Sequence, residues 1–351
     1  MSLTKASVAP PSPPVHARLW SAVAQLGGRR SVRLLLVAWG LIDLLLVAIG
    51  GHHLPFSASA LADPPTRIAV LTANAMIVEV LAMLLLVHAL TRRRARPDVA
   101  ARVPARPVAL HETLLMVVYG IAAMAGGAEL GHVLGWHAFG FHLEGMVLRT
   151  TQQVVPAEAF AWAAYNAVAY ALVPFVVFRY RYSAQALGLR STDRRADRRL
   201  IAVVLVVESA VQLASASSSI LDLSVRQAVL GGSLTFALGM AGTVLPTMVF
   251  VQCILVPRYL ALTGSVPATV ALGGLTYALL HVTDGWTDFT SPTDVLLSVL
   301  YVLLFYTGPG MVKAFLTVRT GNAWVHVWAY HAIAPHTLLD SPMIVNVFGI
   351  R

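Results

Sequence analysis

The chain has 351 residues, of which 57% are hydrophobic and only 12% are charged, and its mean hydropathy is +0.72. Soluble domains carry about 25% charged residues, so this composition excludes a soluble globular protein. The net charge of +9 does not indicate a nucleic-acid-binding protein, because the arginines lie between apolar segments. The single cysteine, Cys253, excludes an intrachain disulfide and a metal cluster built from cysteines alone.

Apolar runs of about 20 residues recur along the whole chain, which predicts an all-α polytopic bundle of about nine transmembrane helices. Segment 1–32 contains the proline-rich stretch VAPPSPPV and is expected to be a disordered cytoplasmic tail. The basic leader is long, and ALAD at residues 60–63 lies far from the first apolar run, which favours an uncleaved helix over a signal peptide. The predicted helices are approximately 34–50, 68–90, 112–135, 157–178, 200–217, 227–256, 266–283, 293–312 and 322–338.

The distribution of Lys and Arg predicts the orientation of the chain in the membrane. Of the 25 basic residues, 21 are predicted on one side of the membrane. They lie in the tail, in loops 91–111 and 179–199, and in later short loops that contain Arg258, Lys313 and Arg319. The opposite side carries the other four, which are Arg67, Arg149, Arg226 and Arg351. Because Lys and Arg favour cytoplasmic loops, we expect a cytoplasmic N-terminus and an external C-terminus in a bacterial-type plasma membrane.

Histidines in the last third of the chain are the main candidates for a functional site. His281 follows Tyr277 by four residues, so the two share one face of the seventh predicted helix. His331 and His336 lie on the last predicted helix, and Asp340 follows His336 by four residues. Ionisable groups within a membrane are costly and mark functional sites by default, and a histidine beside a carboxylate can act as an oriented base or a metal ligand.

Other features of the sequence leave this interpretation open. His281 closes its helix, so it could be a histidine at the membrane rim bonded to a backbone carbonyl. His326, His331 and His336 are spaced by five residues, which is about 500° of α-helical turn, so they do not share one face. They could bind one ion only if the helix unwinds at Pro335, which is expected to break or kink it.

A second candidate group lies earlier in the chain. Glu129 and His132 form Glu-x-x-His, the helical spacing of carboxylate-bridged dimetal bundles, but the full pattern needs a second pair and two more glutamates. Glu79 and Glu208 are the other acids placed within helices, and either could instead be a neutralised residue bonded between helices. Three polar residues of the following segment are assigned to an ordinary external loop: His137, His142 and Glu144.

From about Ala157 onward the chain resembles the CPBP family of intramembrane proteases (CAAX proteases and bacteriocin-processing proteins). Family members carry EExxxR, then FxxxH, then a late HxxxN or HxxxD. Here LPTMVFVQCILVPRYL is similar to the helix of the first motif, and Tyr277-Ala-Leu-Leu-His281 is similar to the second. His336-Thr-Leu-Leu-Asp340 has the spacing of the third motif, with His331 as a competing match. The resemblance implies a CPBP-like core at 157–351, after N-terminal helices and a basic loop (33–111) and a third helix with an outer loop (112–156).

The chain departs from that pattern at the glutamates. Thr247 and Met248 stand at the positions of the pair, and Gln252 stands at the position of the arginine. In the family a glutamate is the proposed base that activates water, and neither replacement can serve as a base at neutral pH. Glu208 is the best candidate for a substitute acid. The predicted external position of His281 also argues against CAAX processing, which acts on cytoplasmic substrates.

Two hypotheses from different classes follow. In the first, the chain is a membrane-embedded enzyme that uses His281, His331 and His336 with Asp340 or Glu208 on a lipidic or membrane-peptide substrate. A divalent ion, zinc or iron, would suit these imidazoles, with Glu129 and His132 as further candidate ligands. In the second, it is a catalytically inactive relative that binds or scaffolds another membrane protein. Burying several histidines is costly, which favours the enzyme.

Overall fold

A computed structural model describes residues 27–55, 65–144, 146 and 154–351, with no side chains described at 215–218. The predicted tail lies almost entirely outside the described residues. Between them, the described residues form ten helices: α1 (Arg30–Ile49), α2 (Thr66–Thr91), α3 (Arg106–Val133), α4 (Pro156–Arg181), α5 (Arg194–Leu221), α6 (Val225–Thr263), α7 (Val266–Leu279), α8 (Pro292–Thr320), α9 (324–338) and α10 (Ser341–Val347).

The helices confirm the predicted all-α polytopic bundle. Among the described residues, six helices are long and apolar enough to cross a bilayer, namely α1, α2, α3, α4, α6 and α8. Large apolar side chains on the outer helices are exposed, including Leu36 on α1, Leu71 on α2 and Val118 on α3. A solvated protein would bury such side chains, whereas a lipid-facing surface exposes them. These helices indicate an integral membrane protein.

Small residues allow α7 and α8 to pack at close range. A Cβ added to Gly274 would lie 2.5 Å from the carbonyl oxygen of Thr307, and one added to Gly310 would lie 2.8 Å from the Cα of Gly274. Small residues at such crossings let the backbones of membrane helices approach each other closely. The contact brings the C-terminal end of α7, which carries Tyr277, against the middle of α8.

Two helices extend further than predicted, which corrects part of the charge count. α6 continues to Thr263 and α8 to Thr320, so Arg258, Lys313 and Arg319 lie within helices and are buried, not in short loops. Arg258 donates two hydrogen bonds to Oε2 of Glu112, at 2.8 and 2.7 Å. The remaining basic residues keep their unequal distribution, and the orientation stays a prediction.

The last predicted helix, α9, is mostly π-helical. After one α-turn at Trp324–His326, π-segments cover Val327–His331 and Ala334–Leu338. A π-helix bonds residue i to residue i+5, so residues five apart come close to the same face, and such segments are frequent at functional sites. The rotation of about 500° between histidines five residues apart assumes α-helical geometry, so it does not apply to these π-helical segments. The spacing of five, expected to separate the histidines, brings them together.

Candidate functional site

The segment between α3 and α4 folds back into the bundle. Trp162 and Asn166 of α4 both donate to the carbonyl of Gly140, each at 2.9 Å, and Thr243 of α6 donates to the carbonyl of Phe141 at 2.8 Å. These bonds satisfy the backbone of a buried loop, as burial requires. They carry the next residue, His142, to the centre of the protein, where it is 2% exposed.

The second part of the site lies directly after α7. Nδ1 of His281 is 2.6 Å from the carbonyl oxygen of Tyr277, so Nδ1 carries the proton and Nε2 keeps its lone pair. The His281 ring stacks on Tyr306 of α8, with centroids 4.0 Å apart. Three residues later Asp284 turns back to the loop, and its Oδ1 accepts from the backbone N–H of His142 at 3.0 Å.

The third part comes from α9. Nδ1 of His336 is 3.2 Å from Oδ2 of Asp340, one turn further along, and both side chains are buried. His331 lies with its ring centroid 4.8 Å from that of His336, and its Nε2 is 3.5 Å from the Tyr277 hydroxyl. His326 is also buried, and its Nδ1 faces the Ala323 carbonyl at 2.6 Å.

Together these parts form a continuous row of buried imidazoles. The ring centroids of His142 and His281 are 4.4 Å apart, and those of His142 and His336 are 5.0 Å apart. His331 and His326 extend the row at successive centroid distances of 4.8 and 5.7 Å. We call these five residues the histidine row. Asp284 lies beside His142, and Asp340 lies beside His336.

A buried lysine lies beside the row. Lys313 of α8 is 2% exposed, and its Nζ lies 3.7 Å from the centroid of the Tyr277 ring. An ammonium group over an aromatic face is attracted by the ring quadrupole, which offsets part of the cost of burial. Lys313 acts electrostatically on all five histidines of the row.

Burial controls protonation in the two connecting segments of the site, which lie outside the spanning helices. Burial lowers the pKa of His142 to about 3, although the charge of Asp340 opposes the shift. Burial also raises the pKa of Asp284 well above its usual range, against the hydrogen bond from the backbone of His142. Both shifts follow from the cost of a buried charge without a counterion. His142 is therefore a neutral imidazole, the form that ligates metals and accepts protons.

The structure brings together some of the predicted site residues and separates others. His281, His331, His336 and Asp340 all belong to the histidine row or contact it. Glu208 is buried on α5, where it accepts from Gln212 at 2.9 Å and interacts electrostatically with Lys313. It does not stand in for the missing glutamates beside His281.

Glu129 and His132 are not part of this cluster. Both are exposed on α3, on the face directed away from the bundle. The Glu-x-x-His spacing places them on adjacent turns as expected, but no second pair approaches them within the described part of the chain. The dimetal interpretation therefore has no geometric support, because such a site needs ligands from several helices.

Residues of α6 at the glutamate positions make only local contacts. The Thr247 hydroxyl donates to the carbonyl of Thr243 at 2.8 Å, within its own helix, and Met248 packs in the apolar core. Gln252 is 1% exposed, and neither of its amide atoms has a hydrogen-bond partner in the described residues. None of the three brings an acid to the site.

Three buried residues at the site, His142, Glu144 and Asp284, were not predicted from the sequence as site residues. His142 and Glu144, assigned there to an ordinary polar loop, are each 2% exposed, and Asp284 is 1% exposed. Two signals in the sequence could have indicated them. Apolar residues alternate through the loop, as in a buried segment, and each central histidine is followed within four residues by an acid: His142 by Glu144, His281 by Asp284, and His336 by Asp340.

Glycines leave room for the acids at the point where the loop meets the end of α7. A Cβ on Gly140 would lie 2.6 Å from Oδ1 of Asp284, and a Cβ on Gly285 would collide with the carboxylate of Glu144. At Gly140 the two backbones are in direct contact, because an added Cβ would also lie 2.5 Å from Cα of Asp284, whereas at Gly285 the Glu144 side chain would have to move. No family model, curated protein or solved structure matches this chain.

Proposed function

We propose that this integral membrane protein is an enzyme whose buried histidine–acid site acts on a lipidic or membrane-peptide substrate. The observation that carries the proposal is the convergence of His142, His281 and His336 from three separate segments. Asp284 and Asp340 accompany them, and all five side chains are at most 2% exposed. Burying so many ionisable groups costs stability, and a protein that only bridges partners has no need of them.

The pair formed by His336 and Asp340 has the arrangement of an oriented general base. A carboxylate at Nδ1 fixes the tautomer, stabilises the imidazolium that forms, and leaves Nε2 to accept a proton. In the proposed hydrolysis, His336 takes a proton from water and the hydroxide adds to the carbonyl carbon of an ester or amide. Collapse of the adduct breaks the bond to the leaving alcohol or amine, which receives the proton from His336.

The CPBP resemblance fits this assignment in part. It supplies His281 and a histidine of α9, and the acid comes from a different place than in the family pattern. Asp284 and Asp340 take the part of the missing glutamates, since Thr247 and Met248 cannot. We therefore assign the chain to this family only as a divergent member, with the acids displaced onto the segment after α7 and the end of α9.

An inactive scaffold is the alternative, and one observation favours it. The first motif has lost both glutamates, and Thr247 bonds only to its own helix. In that case the histidine row would be a remnant, and the protein would bind another membrane protein through its exposed apolar helices. Replacing the whole row would then leave the binding function intact.

We further propose that the protein lies in a bacterial-type plasma membrane with its N-terminus in the cytoplasm and its C-terminus outside. The unequal distribution of Lys and Arg supports this orientation even without Arg258, Lys313 and Arg319. The histidine–acid end of the site would then be closer to the external face. A lipid or a peptide in the outer half of the bilayer is the substrate that this position favours.

The test is an unbiased search for product. Purified protein in lipid nanodiscs is incubated with a membrane extract, and lipids and peptides are compared by mass spectrometry for wild type, His336→Ala and Asp340→Asn. We expect one class of ester or amide to be consumed by the wild type only, with the acid and the alcohol or amine appearing together. An exposed histidine provides the matched control, His132→Ala. Equal product profiles for all four proteins would overturn the proposal.

A further inference from the structure

Two histidines at one end of the histidine row and an adjacent acid form a candidate metal centre: His142, His281 and Asp284. We infer that they bind one divalent transition-metal ion, zinc or ferrous iron. The inference deepens the proposed enzyme by naming its cofactor, and it rests on the same site. One ligand atom from each residue can be chosen so that all three lie within 4.8 Å of one another.

Buried nitrogen atoms without partners are the first support. Nε2 of His281 and both ring nitrogens of His142 make no hydrogen bond to any described residue, although these side chains are 0% and 2% exposed. Buried polar atoms are almost always satisfied, so exceptions of this kind require a ligand, an ion or a water. One nitrogen of His142 and Nε2 of His281, together with a carboxylate oxygen of Asp284, are close enough to share one occupant.

The geometry between His142 and Asp284 is the second support. Nδ1 of His142 lies 3.3 Å from Oδ2 of Asp284, yet the two atoms are not aligned as a hydrogen bond. Two ligands about 2.0–2.1 Å from one tetrahedral ion are separated by about 3.3 Å. Atoms that approach this closely without pointing at each other can both point at a third atom between them.

The surrounding groups orient two of the three ligands, His281 and Asp284, in the way that metal sites require. The Tyr277 carbonyl holds the proton of His281 on Nδ1, which directs Nε2 to the centre. The backbone N–H of His142 holds Oδ1 of Asp284, and the Tyr306 hydroxyl is 3.5 Å from Oδ2. Metal-binding imidazoles usually donate their other N–H to such a carbonyl or carboxylate, which sets the tautomer.

The chemistry of the donors selects the class of ion. Two neutral imidazoles and one carboxylate suit zinc with an open fourth position, or ferrous iron in a facial triad, and they suit calcium or magnesium poorly. Cys253 lies in the apolar core cluster and contributes no thiolate. His336, with its ring centroid 5.0 Å from that of His142, is placed to contact a water on the open position.

Metal content of the purified protein tests the inference without any assay of activity. The exposed pair His52 and His53 could bind an ion adventitiously, so both are replaced by alanine in every sample, and the affinity tag contains no histidine. The protein is stripped with chelator, loaded with Zn²⁺ or Fe²⁺ under anaerobic conditions, desalted and analysed by mass spectrometry. We expect about one ion per chain, and cobalt loading should give the visible absorption of a site with nitrogen and oxygen ligands.

Variants assign the ion to the three ligands. His142→Gln, His281→Gln and Asp284→Asn should each weaken binding by more than about 100-fold, since loss of a ligand exceeds the 10- to 100-fold cost of losing a supporting residue. His326→Gln, at the far end of the row, is the matched control and should keep its ion. Size-exclusion profiles and melting temperatures identify variants that fail to fold, and added zinc should raise the melting temperature of the wild type but not of a folded Asp284→Asn.

The outcomes separate the two proposals. If the protein binds one ion but forms no product, the metal centre is retained and the proposed enzymatic function is overturned. If the protein forms product but binds no ion, the inference of a metal centre is overturned, and His336 and Asp340 remain as the proposed catalytic pair. Wild type with no more metal than folded His281→Gln, or an Asp284→Asn protein that retains a full ion, would overturn the inference.

Discussion

Replacing Gly274 by alanine should separate α7 from α8 and disturb the site beyond them. The added Cβ would lie 2.5 Å from the Thr307 carbonyl oxygen and 2.6 Å from Cγ of Met311, whereas ordinary contact begins at 3.4 Å. Because the closest atom belongs to the backbone, the helices must move apart by about 0.9 Å. Overpacking of this kind costs about 1–3 kcal/mol, and the higher helix propensity of alanine returns about 1 kcal/mol.

The displacement should affect the site more than the fold. Metal sites need their ligands held within about 0.5 Å of the productive geometry. A shift of α7 would move His281 relative to His142, because the loop that carries His142 is held in place by α4 and α6. We expect zinc affinity, measured by competition with a chromogenic chelator, to fall about tenfold or more. Gly40→Ala on α1 is the matched control, because no atom lies within 4 Å of its added Cβ. Wild-type affinity and a melting temperature equal to that of Gly40→Ala would refute the reasoning.

Three further predictions concern packing, loop position and orientation. Arg258→Met should lower the free energy of unfolding by about 3 kcal/mol, because the buried Glu112 carboxylate loses both guanidinium hydrogen bonds and keeps only the Tyr182 hydroxyl and the more distant Arg181. A second change, Glu112→Gln, should restore most of this loss in chemical unfolding experiments. Trp162→Phe removes one of the two donors to the Gly140 carbonyl and should weaken zinc binding about tenfold with little change in melting temperature; unchanged affinity would show that Asn166 alone positions the loop. Alkaline phosphatase fused after Arg351 should be active and a green fluorescent protein fusion there dark, and the reverse result would invert the predicted topology.

The helices could be predicted because lipid imposes a simple rule. A spanning segment must satisfy its own backbone and present apolar side chains, and about 20 apolar residues in a row are sufficient evidence of one. The ends of the helices are harder to predict, because a charged residue that is buried within a helix is interpreted from the sequence as part of a loop. Arg258 and Lys313 ended two predicted helices too early because their partners, a glutamate 146 positions away and the face of a tyrosine, are visible only in three dimensions.

The geometry of α9 could not be predicted from its residues. Pro335 indicates a break, but it does not say whether the chain kinks, unwinds or adopts π-helical turns. Those turns decide the outcome, because they change the residue spacing that shares a face from four to five. The same three histidines therefore lie on different faces in an α-helix and on nearly the same face in the observed helix.

The loop that carries His142 is the clearest case of missing information in the sequence. The sequence predicts that the residues between these two spanning helices lie outside the membrane, where they could form an ordinary polar loop. Their burial depends on donors from two other helices, Trp162, Asn166 and Thr243, which satisfy the loop backbone. Contacts of this kind join residues 22 to 102 positions apart, so a pattern read along the chain does not contain them.

The acids around the histidine row explain why a cation would bind at one end and not along its whole length. His326 and His331 also have ring nitrogens without partners in the described residues, so unpartnered nitrogens alone do not select a site. Lys313 acts electrostatically on all five imidazoles, so it does not distinguish one part of the row from another. The acids do distinguish the two ends, because Asp284 lies against His142 and offers a ligand as well as its charge, and Asp340 also acts on His142. A dication between His142, His281 and Asp284 is therefore attracted by two carboxylates, whereas no acid among the described residues acts on His326 or His331, and this difference favours a single centre beside Asp284.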